Sequence, residues 1–142
     1  MGFFDKMFSA RKDFPTLDPE NPAAQRLERI REQLKTLSDQ VHKPLEVIPG
    51  EEQAYVFIGK PPKNFGIAWI EGEKIKNFKT LAEEKNVDPQ RLEAAAQKLR
   101  AIYEANQNAP HFLTRIGKEE VVVTPSAPFG KQVGEVIREV AQ

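Results

Sequence analysis

The sequence from Thr80 to Gln107 reads TLAEEKNVDPQRLEAAAQKLRAIYEANQ, and it contains the signals of two helices joined by a tight turn. Thr80, followed by Glu83 three residues later, predicts a capping box at the start of the first helix. Asn86 predicts a left-handed end to that helix, because its short polar side chain tolerates a positive φ angle.

The second helix is predicted to begin at the dipeptide Asp88-Pro89, since Asp accepts bonds from free N–H groups and Pro lacks one. Its apolar residues recur at three- and four-residue spacing and therefore share one stripe. The stripe consists of Leu92, Ala95, Ala96, Leu99, Ile102 and Tyr103. We expect this stripe to pack on β-hairpins that precede and follow the helix pair.

The flanking sequence supplies five candidate strands, which we place from short apolar runs and turn residues. They cover residues 53–58, 65–70, 73–78, 111–116 and 119–124. Glu71-Gly72 and Gly117-Lys118 predict two-residue hairpin turns in which Gly supplies a positive φ. We predict an α+β fold with a mainly antiparallel five-stranded sheet, helices packed on it, and the element order α-βββ-αα-ββ-α.

Composition limits the function classes. The 142 residues suffice for one domain, which we assign to residues 21–142. The 21 basic and 21 acidic residues balance, so no overall charge favours nucleic acid or a membrane. The chain contains no cysteine, which excludes disulfides and thiol chemistry and fits a reducing compartment. We predict a cytoplasmic protein without a cofactor.

Residues 1–20 are predicted to form an amphipathic tail and a proline-rich connector. As a helix, residues 1–8 place Phe3, Phe4, Met7 and Phe8 on one side. This favours a weak contact with a membrane surface or a partner. The alternative is a frayed terminus or a tail that folds onto its own domain.

A further helix is predicted from Asn21-Pro22 to about His42, and it contains a heptad-like apolar seam. The seam consists of Leu27, Ile30, Leu34, Leu37 and Val41. Two interpretations remain open: the helix packs on its own sheet, or it pairs with a partner protein or a second copy of the chain.

The helix pair also resembles the helix-turn-helix pattern of DNA-binding proteins over about twenty residues. The matching positions are Ala82, Val87, Leu92 and Ala95, with Asn86 where that family often has Gly. The resemblance implies that the second helix enters the major groove and that the following hairpin is a wing. Its groove-facing residues are then Gln90, Arg91, Ala94, Gln97 and Lys98. Two helices packed tightly on a sheet produce the same spacing, and this is the structural alternative.

Four side chains are candidates for an aromatic pocket beneath the helices: Tyr55, Trp69, Tyr103 and His111. Such a pocket suits a small ligand, whereas the alternative places Trp69 in the core. Neither His42 nor His111 has another ligand at metal-binding spacing, and no pattern specifies a catalytic site.

Our leading hypothesis is therefore a non-catalytic cytoplasmic binding or regulatory module that acts through protein or small-ligand contacts. Self-association through the seam is one form of it. A helix-turn-helix DNA-binding protein that uses residues 80–100 is the second hypothesis. A small enzyme or ligand carrier with an aromatic pocket is the third.

Overall fold

A computed structural model describes residues 14–142, which form an α+β fold with helices on both faces of one mixed sheet. The helices are α1 (Pro22–Arg29), α2 (Arg31–Val41), α3 (Phe78–Lys85), α4 (Pro89–Ala105) and α5 (Ala127–Ala141). The strands are β1 (Leu45–Ile48), β2 (Gln53–Lys60), β3 (Asn64–Glu71), β4 (Lys74–Asn77), β5 (Phe112–Ile116) and β6 (Glu119–Val123).

The sheet has the strand order β4-β3-β2-β1-β6-β5. Neighbouring strands are antiparallel except for β1 and β6, which are parallel and pair Val47 with Val123. The sheet thus joins a meander of four strands to the β5–β6 hairpin through one parallel contact.

Both faces of the sheet are covered because β2 and β3 carry apolar residues at consecutive positions, which point alternately to opposite faces. Ala54 and Val56 face a core built with α1 and α2. Tyr55 and Phe57 face a second core built with α3, α4 and α5. The continuous apolar strands had predicted this two-sided covering.

The five-stranded prediction is wrong in detail, because it omits β1. The residues Leu45-Glu46-Val47-Ile48 lie between Pro44 and Pro49, so the strand has four residues only. It is stabilised by its neighbours β2 and β6 rather than by a strong local pattern. Because the prediction lacks β1, it also lacks the parallel pairing of β1 with β6.

One of the two hairpin turns lies where the sequence predicts it, and the other lies one residue later. Ile116 pairs with Glu119, so Gly117-Lys118 is the turn, and the φ of Gly117 is 61°. Glu71 pairs with Lys74, so the other turn is Gly72-Glu73 and lies one residue later than predicted. Gly72 still supplies the positive φ of 60° that the turn requires.

The N-cap of α3 differs from the predicted one. Asn77, not Thr80, is the N-cap of α3; its Oδ1 accepts the Thr80 N–H at 2.9 Å, and the Thr80 Oγ1 accepts the Asn77 N–H at 2.9 Å. Thr80 therefore occupies the third helical position, and the helix begins directly where β4 ends. The predictions for the turn are confirmed: Asn86 is left-handed with φ 55°, and the Asp88 Oδ1 accepts the Gln90 N–H at 2.8 Å.

The helix predicted over residues 21–42 is interrupted, so its prediction as one continuous element is wrong. Ile30 has φ −117° and ψ 15°, and its N–H bonds to the Leu27 carbonyl at 3.1 Å. This bond spans three residues instead of the four of an α-helix. The backbone is therefore tighter for one turn, which separates α1 from α2. His42 ends α2 in the left-handed conformation, with φ 52°.

Part of the predicted connector packs on the sheet. The Leu17 N–H donates to the Leu113 carbonyl, and the Leu113 N–H donates to the Pro15 carbonyl, both at 2.8 Å. Thr16 thus lies parallel to β5, and Leu17 is buried in the core. The apolar contact predicted for residues 1–8 lies outside the described residues. Within residues 14–142, no helix is long and apolar enough to cross a membrane.

Candidate functional site

The predicted seam lies inside the domain. Leu27, Leu34 and Leu37 are buried, and they belong to the core between α1, α2 and the sheet. Ile30 and Val41 are half-buried against the same core. The apolar side of α1 and α2, which was one candidate surface for a partner, therefore packs against the sheet of its own chain.

The predicted DNA-facing residues lie on the exposed side of α4, and two of their cations contact the end of α5. The Arg91 guanidinium donates to the carbonyls of Glu139 at 2.7 Å and Gln142 at 3.3 Å. The Lys98 Nζ donates to the Glu139 carboxylate at 2.8 Å and thereby lowers the pKa of Glu139. These cations stabilise the last turn of α5.

The other predicted DNA-facing residues form no continuous cationic surface. The Gln97 Oε1 accepts from the Arg100 Nη1 at 2.7 Å, and Gln90 is exposed. Ala94 lines a small cleft of about 140 Å³ between α4 and α5. Arg91 and Lys98 already bind acceptors of their own chain, so a DNA phosphate would have to displace these contacts.

The four predicted pocket residues separate into two pairs. Tyr55 and Trp69 are paired across β2 and β3 and are both buried. The Trp69 ring packs edge-on against the Phe78 ring at 6.1 Å between centroids. The Tyr55 hydroxyl donates to the Gln53 Oε1 at 2.9 Å, and burial raises the pKa of Tyr55. This pair belongs to the core, which was the structural alternative for Trp69.

Tyr103 and His111 meet around a carboxylate that the sequence did not indicate as functional. The Glu46 Oε1 accepts the Tyr103 hydroxyl at 2.7 Å, and its Oε2 accepts the Thr124 hydroxyl at 3.0 Å. The His111 Nδ1 lies 2.8 Å from the same Thr124 oxygen, and the His111 Nε2 lies 3.1 Å from the Gln107 carbonyl oxygen. We call these five residues the Glu46 network. The sequence feature that could have indicated this network is Glu46 itself, an acidic residue inside the otherwise apolar tetrapeptide Leu45–Ile48.

A larger cleft, of about 390 Å³, lies on the other side of the fold. One wall is formed by α1 and the start of α2, and the other by the loop before β2 and the β3–β4 turn. Its lining carries five glutamates and two arginines: Arg26, Glu28, Arg29, Glu32, Glu51, Glu52 and Glu73. The sequence analysis missed it, because its walls come from segments that are distant along the chain.

The shape of this cleft depends on two glycines. A side chain at Gly50 would place its Cβ 2.3 Å from the Gln53 carbonyl oxygen, so only Gly permits this sharp loop. Gly72 provides the left-handed φ of 60° at the opposite turn. The two turns therefore bring Glu51, Glu52 and Glu73 to one cleft.

The charges of the cleft are only partly compensated. The Arg26 Nη2 lies 3.4 Å from the Glu51 Oε1, and the Arg31 Nη1 lies 3.4 Å from the Glu28 Oε1. The other acidic side chains of the lining make no hydrogen bond or ion pair with another residue of the described chain. They are Glu32, Glu52 and Glu73.

A neutral acceptor in the same lining is also unsatisfied. The Gln33 Oε1 is buried and has no hydrogen-bond partner within residues 14–142. A buried carbonyl oxygen without a donor costs free energy. Rotation of the half-buried Gln33 side chain toward the cleft would let a ligand N–H group remove that cost.

No family model, no curated protein and no solved structure matches this chain. The function of the cleft therefore has to follow from its own geometry and charge. Among the described residues, no three His, Asp or Glu side chains lie close enough together to hold a metal ion. The carboxylates of the cleft come from α1, from α2 and from the two turns of the opposite wall.

Proposed function

We propose that this chain is a non-catalytic binding module that takes a cationic ligand into the cleft between α1–α2 and the two glycine turns. The observation that carries the proposal is the combination, in one cleft, of three unpartnered carboxylates with the unsatisfied Gln33 Oε1. All of these groups are hydrogen-bond acceptors, and the carboxylates are negative. A ligand that carries ammonium or guanidinium groups complements both properties.

The size and the spread of the charges indicate an elongated ligand. The volume of about 390 Å³ lies in the range of sites for small molecules or a few side chains of a peptide. Glu32 lies on α2, whereas Glu52 and Glu73 lie on two different turns on the opposite wall. Several positive charges along one chain, as in a polyamine or a basic peptide, match this arrangement better than a compact ion does.

The expected affinity is modest, because the cleft is open to water. Each contact between unit charges at about 4 Å contributes about 1 kcal/mol in water. Three such contacts and one hydrogen bond sum to about 4 kcal/mol, which corresponds to a Kd of roughly 1 mM. We propose that this binding takes place in the cytoplasm, which the absence of cysteine supports.

Titration with spermidine at low ionic strength, followed by amide chemical shifts, tests the site. We expect saturable shifts at the amides of Gly50 and Gly72, which lie in the two turns of the cleft. The double variant Glu52→Gln/Glu73→Gln removes two charges, so we expect its Kd to rise about tenfold or more.

The matched control is Glu93→Gln/Glu104→Gln, which changes the net charge equally on the exposed face of α4. We expect this variant to bind spermidine like the unmodified chain. Gln33→Leu removes the unsatisfied acceptor without changing charge, and we expect weaker binding with unchanged or higher stability. Equal Kd values for the two double variants would place the binding elsewhere, and an absence of saturable shifts would reject a cationic ligand.

A further inference from the structure

The two ends of the sheet carry opposite charge in the described part of the chain. Strands β1 to β4 alternate in direction, so the β1–β2 loop and the β3–β4 turn lie at one end, where the cleft is. The β2–β3 turn lies at the other end, and the Gly59 N–H there donates to the Pro44 carbonyl, just before β1, at 2.9 Å. Because β6 runs parallel to β1, with Glu46 beside Val122, the β5–β6 turn also lies at this second end.

Lysines are concentrated in the segments that form this second end, which we call the lysine end. The segments are residues 35–44, 60–64 and 117–120. Their lysines are Lys35, Lys43, Lys60, Lys63 and Lys118. Their acidic residues are Asp39, Glu119 and Glu120. The lysine end therefore has an excess of positive charge, whereas five glutamates and two arginines line the cleft.

Three of these lysines present their ammonium groups to solvent. Lys43, Lys63 and Lys118 are exposed, and their side chains form no ion pair or hydrogen bond with another residue of the described chain. Lys35 lies over the β5–β6 turn, because its Cε would be 3.7 Å from a Cβ at Gly117. The charges of the lysine end can therefore bind an acidic partner without breaking contacts of these three ammonium groups.

The most rigid part of the lysine end is the β2–β3 turn. The Arg100 Nε donates to the Pro62 carbonyl at 2.6 Å, and its Nη2 donates to the Lys63 carbonyl at 3.3 Å. The same guanidinium lies over the Phe65 ring, 5.9 Å from its centroid. These contacts fix the backbone that carries Lys63, so little conformational entropy is lost when the turn enters a binding site.

We propose that the cleft of one copy binds the lysine end of a second copy, with the β2–β3 turn inserted between the two walls of the cleft. This contact rests on the proposed function, because it requires that the cleft take a cationic ligand. Charge complementarity supports it, since the cleft offers unpartnered carboxylates and the turn offers Lys63, with Lys43 on the neighbouring strand end. The cleft volume of about 390 Å³ accommodates a few side chains. The whole chain is neutral, with 21 basic and 21 acidic residues, so no net charge separates two copies.

The position of the two surfaces determines the kind of assembly. They lie at opposite ends of the sheet, so they do not meet within one copy. A pair of copies still has one open cleft and one open lysine end, and further copies therefore add head to tail instead of closing a symmetric dimer. Because the contacts join exposed charges, the association is weak, requires high protein concentration and is screened by salt. The chain is a monomer at micromolar concentration.

Light scattering and amide chemical shifts over a dilution series test the association. We expect the weight-average mass to rise about twofold at about 1 mM protein in about 20 mM salt, and to return to the monomer mass in about 0.5 M salt. Amide shifts should change with concentration at Gly50 and Gly72 in the cleft and at Asn64 and Gly117 in the lysine end. A mass that stays monomeric at low salt, or shifts confined to other surfaces, would overturn the proposal.

Two variants that each lack one surface locate the contact. Lys43→Gln/Lys63→Gln keeps the cleft, whereas Glu52→Gln/Glu73→Gln keeps the lysine end, and each variant alone should stay monomeric. In a mixture the two variants should bind each other, because the surface that one lacks is intact in the other. Unlabelled Glu52→Gln/Glu73→Gln should therefore shift the cleft amides of labelled Lys43→Gln/Lys63→Gln, and an unlabelled copy of the labelled variant should not.

The charge-matched control is Lys85→Gln/Lys131→Gln, which removes two positive charges from exposed positions on α3 and α5. It should associate like the unmodified chain, and an equal loss in this control would attribute the effect to net charge and overturn the contact. Spermidine should dissociate the copies, since it occupies the same cleft. If Lys43→Gln/Lys63→Gln binds spermidine but not its complementary variant, self-association is rejected and the proposed function stands. If it binds neither, both are rejected.

Discussion

Gly134 lies against the hydroxyl of Tyr55, and this contact sets how closely α5 approaches the sheet. A Cβ at Gly134 would lie 2.5 Å from the Tyr55 Oη and 3.2 Å from its Cζ. The sequence predicts that Tyr55 lines a pocket. In the structure, the Tyr55 hydroxyl instead packs against Gly134, a glycine about eighty residues later in the chain. No local pattern connects the two positions, because their contact exists only once α5 packs on β2.

We predict that Gly134→Ala destabilises the fold by about 1–3 kcal/mol, since the new methyl group overlaps a buried hydroxyl. Tyr55→Phe removes that oxygen, and with it the hydrogen bond to Gln53. The double variant should therefore be more stable than the sum of the two single effects predicts. Urea unfolding of the four proteins measures the coupling, and strictly additive free energies would contradict the proposed contact.

At the level of elements, the start of α3 shows what local signals settle and what they leave open. The sequence predicted a capping box there, and one exists, but it joins Asn77 with Thr80 instead of Thr80 with Glu83. Both residue pairs have the required spacing. The choice is made by the β3–β4 pairing, which fixes where β4 ends and so where the helix begins.

We predict that Asn77→Ala lowers the free energy of unfolding by about 1 kcal/mol, because it removes the acceptor for the Thr80 N–H. Glu83→Gln should change it by less than about 0.5 kcal/mol, since Glu83 is an exposed residue outside the cap. Thermal unfolding of both variants tests the assignment. A larger loss of unfolding free energy for Glu83→Gln than for Asn77→Ala would contradict the cap at Asn77 and favour the predicted capping box of Thr80 and Glu83.

At the level of the whole molecule, hydrophobic periodicity predicted the fold class, the two-sided covering of the sheet and the helix order. It failed where the decisive contacts are distant in sequence. The strand β1 is too short for a pattern, and the cleft and the Glu46 network each combine three or more separate segments. The seam was recognised correctly as apolar, but its periodicity alone could not tell a partner helix from the sheet of the same chain.

The position of the seam leads to a prediction about assembly. Leu34 is 0% exposed in the core, so Leu34→Ala should cost about 2–5 kcal/mol, whereas Gln40→Ala on the exposed side of the same helix should cost little. If the seam serves only the chain's own core, the unfolding midpoint should not depend on protein concentration. Denaturation at concentrations a hundredfold apart checks this, and a midpoint that rises with concentration would show that assembly contributes.

The parallel contact between β1 and β6 also affects the order in which the chain folds. The β2–β3, β3–β4 and β5–β6 pairs connect neighbours in sequence, so each closes only a short loop of chain. The pairing of Val47 with Val123 closes a loop that contains most of the domain. Because closing it costs more entropy than closing any hairpin, we expect the two halves of the sheet to form early and to join late. Folding speed is then governed by this one junction, even though the final stability is shared by both cores.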